Sequence, residues 1–289
     1  MLLAVVLLLS IGSGAGLCVW IGGFENLGWL WQFPVGFFGG FLLASALAFG
    51  ILIVICYSID PEKPRDKDSR WFRTMINWYI QAILTVLPIR VKMQGMEKFR
   101  VDGRFLLVCN HLDNIDPAFL LYAFPKSQLA FIAKKETRDM FLVGHALPKL
   151  LCTFINREND REALKSILRC ISLLKNDTVS VAVFPEGRIN KYRKLAHFRP
   201  GVFKIAQKAN VPIVVCTLRN TNHVIGRLLK GKGSTVELHL LEVIPAAEIQ
   251  DCTTVDIADR VYNLMAADLG PENILTPEQE ENALFSYQS

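Results

Sequence analysis

Residues 105–117 read Phe105-Leu106-Leu107-Val108-Cys109-Asn110-His111-Leu112-Asp113-Asn114-Ile115-Asp116-Pro117. The first five residues form a continuous apolar run, which is typical of a buried strand. Asp116 and Pro117 then predict the N-cap and first residue of a helix, so His111 lies on the loop between strand and helix. On a regular helix, a separation of five positions would place His111 and Asp116 about 140° apart. A contact between them therefore depends on the turn.

Similar apolar runs alternate with helical patterns through the rest of the chain. The predicted strands cover residues 105–109, 129–132, 153–155, 179–184, 213–218 and 236–243. Helical periodicity covers residues 161–174 and 201–209, and a last helix at residues 255–269 ends before Gly270 and Pro271. This alternation predicts an α/β fold with a central sheet flanked by helices. We expect the sheet to be mixed, because some connections between strands are too short to contain a helix.

The N-terminal part is more apolar than a soluble core requires. Residues 1–23 carry no charge, and after Glu25 a second uncharged run covers residues 26–58. Each run is long enough to cross a bilayer, which takes about 20 apolar residues. We therefore predict two N-terminal transmembrane helices, near residues 2–22 and 34–57. A signal peptide is the alternative for the first run, although no Lys or Arg precedes it.

Basic residues after the second run set the predicted orientation. They are Lys63, Arg65, Lys67, Arg70 and Arg73. The turn between the two runs holds only Glu25 as a charged residue. The positive-inside rule then predicts an integral membrane protein whose termini and remaining domain lie on the cytoplasmic face.

Four segments follow from these patterns: a membrane anchor (1–58), a basic linker with an amphipathic helix (59–88), the α/β domain (89–270) and an acidic tail (271–289) that we expect to be loosely held. Between Trp71 and Leu84, aromatic and apolar residues recur at helical spacing beside Arg70 and Arg73. This pattern favours a helix that lies in the membrane interface. Packing of its apolar face on the domain core is the alternative.

The cysteines and histidines do not follow the spacing of a metal site. The seven cysteines lie at positions 18, 56, 109, 152, 170, 216 and 252 without a CxxC pair, and the histidines show neither HxxxH nor HExxH. We predict buried, reduced thiols and no metal. The net charge of +5 comes without a nucleic-acid motif, so the predicted anionic partner is a phospholipid bilayer and not a nucleic acid.

A second candidate functional segment is Phe184-Pro185-Glu186-Gly187-Arg188. It ends a predicted strand, and the basic residues Lys191, Arg193, Lys194, Arg199 and Lys204 follow it. Cations and backbone N–H groups at such a turn suit a phosphate. A solvated basic loop that faces anionic lipid is the alternative. Between the two segments, the run Phe154-Ile155-Asn156-Arg157 ends another strand with a further candidate phosphate ligand.

Taken in order, these segments resemble the conserved blocks of the PlsC-like glycerolipid and lysophospholipid acyltransferase family. The resemblance covers residues 70–245 and rests on four blocks: Asn110-His111 with Asp116-Pro117 (the His-x4-Asp motif), Phe154–Arg157, Phe184–Gly187 and Val211–Val214. The third block departs from the family's usual Phe-Pro-Glu-Gly-Thr-Arg-Ser, because Arg188 stands in the threonine position and Ile189 in the arginine position.

The resemblance implies an enzyme without a cofactor. It would move a fatty acyl group from acyl-CoA or acyl-carrier protein to the sn-2 hydroxyl of 1-acylglycerol-3-phosphate (lysophosphatidic acid), giving phosphatidic acid. His111 would be the general base, and Asp116 would orient it. The implied substrate-binding residues are Asn110, Phe154, Arg157, Glu186, Gly187 and Arg188.

Other functions stay open at this point. The departure at Arg188 and Ile189 keeps a lysophospholipid with a head group as an alternative acceptor. A membrane lipid-binding protein that retains the fold without turnover is the alternative from another class. Hydrolysis of a lipid ester is disfavoured because the chain has no GxSxG nucleophile elbow.

Overall fold

The computed structural model describes residues 1–22, 27–60, 65–156 and 159–285. The chain divides into two compact units, Met1–Lys63 with Phe141–Ala146, and Pro64–Met140 with Leu147–Ser289. Three residues used above, Glu25, Lys63 and Arg157, lie outside the described residues. The segment boundaries at residues 58, 88 and 270 stay predictions.

The first unit contains the two apolar helices α1 (Leu2–Ile21) and α2 (Trp29–Tyr57). Both are long and apolar enough to span a membrane. The second helix begins earlier than predicted, and Pro34 lies inside it instead of at its start. Membrane helices tolerate an internal proline because neighbouring groups satisfy the carbonyl that it leaves unpaired.

Small residues allow α1 and α2 to approach closely. A Cβ atom on Gly36 would lie 2.9 Å from Cα of Gly14, and one on Gly40 would lie 2.6 Å from Cβ of Ser13. In lipid, where the hydrophobic effect does not drive helices together, such close backbone approach is a main source of helix pairing. The predicted anchor is therefore a packed helical pair.

The second unit holds a seven-stranded sheet in the order β1-β7-β6-β2-β5-β3-β4. Its strands are β1 Ile89–Gln94, β2 Leu106–Cys109, β3 Leu129–Lys134, β4 Thr153–Ile155, β5 Ser180–Val183, β6 Ile213–Arg219 and β7 Ser234–Ile244. The β6–β7 pair is antiparallel and every other pair is parallel. The mixed central sheet is thus confirmed.

The further helices of the described residues are α3 Arg70–Val86, α4 Asp116–Ala123, α5 Val143–Lys149, α6 Asp160–Lys175, α7 Lys204–Ala209, α8 Val224–Leu228, α9 Ala246–Ile249, α10 Thr254–Leu269 and α11 Pro277–Phe285. Side chains of α6, α7 and α10 pack against β2, β5 and β6 in the main core. The three strands are almost wholly buried, which explains their continuous apolar runs. Six of the seven cysteines are buried as predicted, and Cys252 is exposed.

The helix α3 packs one face on the domain. Phe72, Arg73 and Met75 are buried. Arg73 donates hydrogen bonds to the carbonyl oxygens of Leu129 at 2.6 Å and Leu150 at 2.8 Å. This arginine, which the interfacial interpretation placed beside lipid, therefore stabilises the domain interior.

The segment after Gly270 is held more firmly than predicted. The backbone N–H of Leu195 donates to the carbonyl of Asn273 at 2.8 Å, and that of Leu275 donates to the carbonyl of Leu195 at 3.0 Å. Leu275 is also buried. The prediction of a loosely held tail is therefore wrong for this stretch. Its acidic residues are interspersed with apolar ones, and these pack against the domain.

Candidate active site

The candidate site lies at one edge of the sheet. Since β2 and β5 are parallel neighbours, their carboxyl ends meet at the same edge. His111 follows β2 and Glu186 follows β5. Ligands of open α/β sheets bind outside the carboxyl ends of the strands, so the topology brings the two sequence blocks to one functional edge.

His111 and Asp116 are in contact. Nδ1 of His111 lies 2.8 Å from Oδ2 of Asp116. The same oxygen accepts the backbone N–H groups of Leu112 at 2.7 Å and Asp113 at 2.9 Å. Asp116 is the first residue of α4, and Ile115 is its N-cap, so the predicted N-cap role is wrong by one residue. The carboxylate therefore binds backbone N–H groups of the loop and does not cap the helix.

The imidazole of His111 is held from a second direction. Its ring stacks on Phe184, with ring centroids 4.0 Å apart and an angle of 13° between the planes. The side chain is 16% exposed, so solvent or substrate can reach it. Because Nδ1 contacts the carboxylate, Nε2 is the nitrogen left to exchange a proton with a substrate.

Glu186 is a buried carboxylate that joins two loops. It accepts the backbone N–H of His111 at 2.8 Å through Oε1 and that of Ala196 at 3.1 Å through Oε2. Burial raises the pKa of Glu186 to about 8, although these two hydrogen bonds act in the opposite direction. The side chain positions the backbone of the base, and its own oxygens face the protein.

Gly187 occupies a conformation that other residues adopt at a cost. Its φ is +75°, and a Cβ atom there would lie 2.9 Å from Nε of Arg199. The side chain of Arg199 therefore crosses directly over this glycine. The turn places Arg188, which is half-buried, and the exposed Arg199 on the same loop.

Arg193 contacts the loop of the histidine. Its guanidinium donates to the carbonyl of Leu112 at 2.6 Å and lies 3.7 Å from Oδ2 of Asp113. In the sequence, Arg193 is only one of several basic residues after the third block. Its contact with the first block depends on the three-dimensional path of the loop, so spacing alone could not identify it.

The predicted binding residue Asn110 is fully buried. Its side-chain amide donates to the carbonyl of Leu218 at 3.0 Å, and its oxygen accepts the N–H of Leu218 at 2.7 Å. Both polar ends of Asn110 are thus used between β2 and β6. In this arrangement Asn110 positions the strand that carries His111.

The block that contains Phe154 lies farther from His111. Phe154 is in β4, which is three strands from β2 in the sheet order, a lateral separation of about 14 Å at the usual strand spacing. The guanidinium of Arg138 sits over its ring at 4.9 Å. The structure therefore does not bring Phe154 into contact with His111, and Arg157 lies outside the described residues.

The domain contains a second histidine–aspartate pair that sequence analysis did not find. Nδ1 of His239 in β7 lies 2.6 Å from Oδ1 of Asp268 in α10, and the hydroxyl of Thr217 donates to Oδ2 at 2.6 Å. These residues are far apart in the chain and form no motif. The pair joins α10 to the sheet. Because His239 also contacts an aspartate, its substitution can serve as a control for the substitution of His111.

The chain is similar in sequence to known acyltransferases. A family model described as Acyltransferase matches residues 90–219. A Mycoplasma pneumoniae protein named a probable 1-acyl-sn-glycerol-3-phosphate acyltransferase is 38% identical over 145 residues, which cover 48% of this chain and 51% of the relative. The 1-acyl-sn-glycerol-3-phosphate acyltransferase of Borreliella burgdorferi is 25% identical over 178 residues, covering 61% of this chain and 70% of that one.

A solved structure shares the fold. It is the crystal structure of the 1-acyl-sn-glycerophosphate acyltransferase PlsC from Thermotoga maritima, with a TM-score of 0.56 and 24% identity, covering 77% of this chain and 91% of that chain. The region matched by the family model runs from β1 to the end of β6 and includes both His111 and Glu186. Residues 90–219 match the model of the acyltransferase family, and this match identifies an acyltransferase domain in that part of the chain.

Proposed function

We propose that the protein transfers a fatty acyl group from a thioester, acyl-CoA or acyl-carrier protein, to the sn-2 hydroxyl of 1-acylglycerol-3-phosphate. The observation that carries this proposal is the 2.8 Å contact between His111 and Asp116 at the carboxyl edge of the sheet. The names of the relatives in Mycoplasma pneumoniae and Borreliella burgdorferi support the choice of acceptor. The product is phosphatidic acid, so the reaction belongs to phospholipid biosynthesis.

The reaction proceeds without a covalent enzyme intermediate. Nε2 of His111 removes the proton of the acceptor hydroxyl as the hydroxyl oxygen attacks the thioester carbonyl carbon. The tetrahedral intermediate then expels the thiolate, and the imidazolium returns the proton to the sulfur. Asp116 holds Nδ1 and stabilises the imidazolium between the two transfers. The C–S bond breaks, an ester C–O bond forms, and a free thiol leaves.

The basic loop after Gly187 binds the phosphate of the acceptor in this proposal. Arg193 supports the assignment because its guanidinium already lies against the carbonyl of Leu112, beside the base. Arg188 follows Gly187 directly, and the side chain of Arg199 lies against Gly187. Binding the phosphate end places the hydroxyl next to His111, so positioning supplies much of the rate.

The proposed orientation places the acyltransferase domain on the cytoplasmic face of the membrane. The basic residues that follow α2, among them Arg65 and Lys67, support it. Thioester donors are soluble and would reach the site from the cytoplasm. The acceptor reaches it from the bilayer.

A lysophospholipid with a head group is the second candidate acceptor. The observation that favours it is the departure at Arg188 and Ile189, where the family's usual arginine position holds an apolar residue. A weaker phosphate contact would relax the requirement for a phosphomonoester. Protein purified in detergent and supplied with labelled acyl-CoA separates the candidates.

In that assay, the acceptors lysophosphatidic acid, lysophosphatidylethanolamine and glycerol-3-phosphate are compared in parallel, and acyl-carrier protein is compared with acyl-CoA as donor. We expect kcat/KM to be highest for lysophosphatidic acid. A higher value for lysophosphatidylethanolamine would move the protein to the reacylating class. No transfer to any acceptor would identify it as a lipid-binding relative.

A further inference from the structure

An exposed apolar surface lies on elements that the proposed reaction does not use. Its apolar side chains come from the end of α3, from α8 and from the turn after α8: Ile83, Val86, Leu87, Ile225 and Leu229. Leu229 is 84% exposed. Soluble proteins rarely gather such side chains without a partner. We call this set the α3–α8 surface.

The two parts of this surface are neighbours. The N–H of Ser234 donates to the carbonyl of Pro88 at 2.9 Å, which places the turn after α8 against the end of α3. A groove of about 620 Å³ lies between the end of α3 and the starts of β1 and β7, and Leu84, Leu87, Tyr122 and Thr235 are among the residues that line it. The two elements, which lie far apart in sequence, therefore approach each other at Pro88 and Ser234.

Basic residues lie beside Leu229, and acidic residues are absent from both segments. Lys230 follows Leu229 directly, Lys232 comes two residues later, and both are exposed. The sequence has no Asp or Glu from residue 70 to residue 96 or from residue 219 to residue 236. An apolar residue flanked by lysines suits a bilayer with anionic head groups, because the leucine enters the interface while the lysines stay at the phosphates.

The strand directions place this surface at the same edge of the sheet as His111. The end of β6 lies next to Asn110 through the bonds of Leu218. Because β7 runs antiparallel to β6, Glu237 near its start pairs with Arg219 at the end of β6. β1 also begins at this edge, where Ile89 pairs with Ser234.

We infer that the α3–α8 surface is a second membrane contact, separate from α1 and α2, which docks this edge of the domain on an anionic phospholipid bilayer. Leu229 inserts among the lipid chains at the interface, and Lys230 and Lys232 pair with lipid phosphates. The contact is independent of which acceptor the enzyme uses. It holds the domain in one orientation on the bilayer.

The test uses the full-length protein in vesicles. Leu229→Cys in a Cys252→Ser background receives an environment-sensitive fluorophore. The matched control carries the same label on native Cys252, the one exposed cysteine, which lies between α9 and α10 beyond the other end of β7. Phosphatidylcholine vesicles with and without phosphatidylglycerol contain shallow spin-labelled lipid as quencher.

We expect quenching and a blue-shifted emission at position 229 when phosphatidylglycerol is present, and aqueous emission at position 252. Lys230→Glu with Lys232→Glu should lower the ratio of docked to undocked protein by at least about fivefold per lysine, since each basic residue near an anionic surface contributes about that factor. Thermal unfolding of this variant in detergent verifies that it is folded. Equal quenching at both positions, or quenching that ignores phosphatidylglycerol, would overturn the inference.

Discussion

One oxygen of Asp116 fixes both the imidazole of His111 and the loop that carries it. Oδ2 lies 2.8 Å from Nδ1 of the histidine and accepts the N–H groups of Leu112 and Asp113 as well. The carboxylate thus contributes geometry and charge from a single buried position. Substitutions at the two residues separate these contributions.

His111→Ala should abolish the reaction without unfolding the protein. Loss of general acid–base catalysis costs about 10²–10⁴-fold in rate, so we expect kcat to fall at least this far. The measurement is acyl transfer in detergent micelles together with the unfolding temperature. His239→Ala is the matched control because His239 has its own aspartate at 2.6 Å. It should retain kcat, and an active His111→Ala variant would refute the base assignment.

Two substitutions of Asp116 should differ in stability. Asn keeps an oxygen for the backbone N–H groups of Leu112 and Asp113 and removes only the charge. Ala removes both, and each buried donor left without a partner costs about 1–3 kcal/mol. We expect both variants to lose kcat but only Asp116→Ala to unfold at a clearly lower temperature. Similar unfolding temperatures for the two would show that the loop does not depend on this oxygen.

Stability should fall as the pH rises through the titration of Glu186. Burial raises its pKa to about 8, whereas an unfolded glutamate titrates near about 4.3. Between these two values the folded protein holds one proton more than the unfolded chain, so the free energy of unfolding decreases by about 1.4 kcal/mol per pH unit. The stabilisation is complete below the lower value and lost above the higher one.

Glu186→Gln tests this because it removes the titrating group. Unfolding temperatures in detergent from pH 5 to pH 8.5 should fall less steeply for this variant than for the natural protein. Glu97→Gln, at an exposed position, serves as the control and should keep the natural slope. Parallel slopes for all three proteins would mean that Glu186 is ionised throughout this range.

Gly187→Ala should strain the turn in two separable ways. The φ of +75° costs a residue with a Cβ atom about 1–2 kcal/mol, and the new atom also meets Arg199. We expect lower stability and activity for Gly187→Ala and partial recovery of stability in the double variant with Arg199→Ala. Arg199→Ala alone provides the baseline for activity. A double variant no more stable than Gly187→Ala would assign the whole cost to the backbone.

Two truncations should distinguish the parts of the C-terminal segment. Ending the chain after Gly270 removes the contacts of Asn273 and Leu275 with Leu195. The next residue is Ala196, whose N–H donates to Glu186. Ending it after Thr276 keeps these contacts and removes α11. We expect the shorter chain alone to lose stability and activity, because the ion pair lost with α11 joins an exposed His197 to Glu280 and exposed pairs contribute little. Equal losses would place the important contacts in α11.

The sequence predicts the buried part of the sheet well because β2, β5 and β6 are continuous apolar runs. It misses β1, whose residues alternate in character and are mostly exposed at the sheet edge. Alternation of apolar and polar residues is nevertheless a strand pattern, so the signal for β1 is present in the sequence.

Individual contacts in the candidate site could be predicted only where the two residues are close in sequence. His111 and Asp116 are joined by one turn, so their contact could be anticipated. The bonds of Asn110 with Leu218 and of Arg193 with Leu112 span 108 and 81 residues. Such contacts depend on strand order and loop path, which local pattern does not determine.

The reversal of β7 has a consequence for how substrate is found. In a wholly parallel sheet the starts of β7 and β1 would lie at the edge opposite His111. The single antiparallel pair brings them to the edge where β2 and β5 end. With that edge on the bilayer, the acceptor is found by lateral diffusion in two dimensions, and its acyl chain never has to enter bulk water.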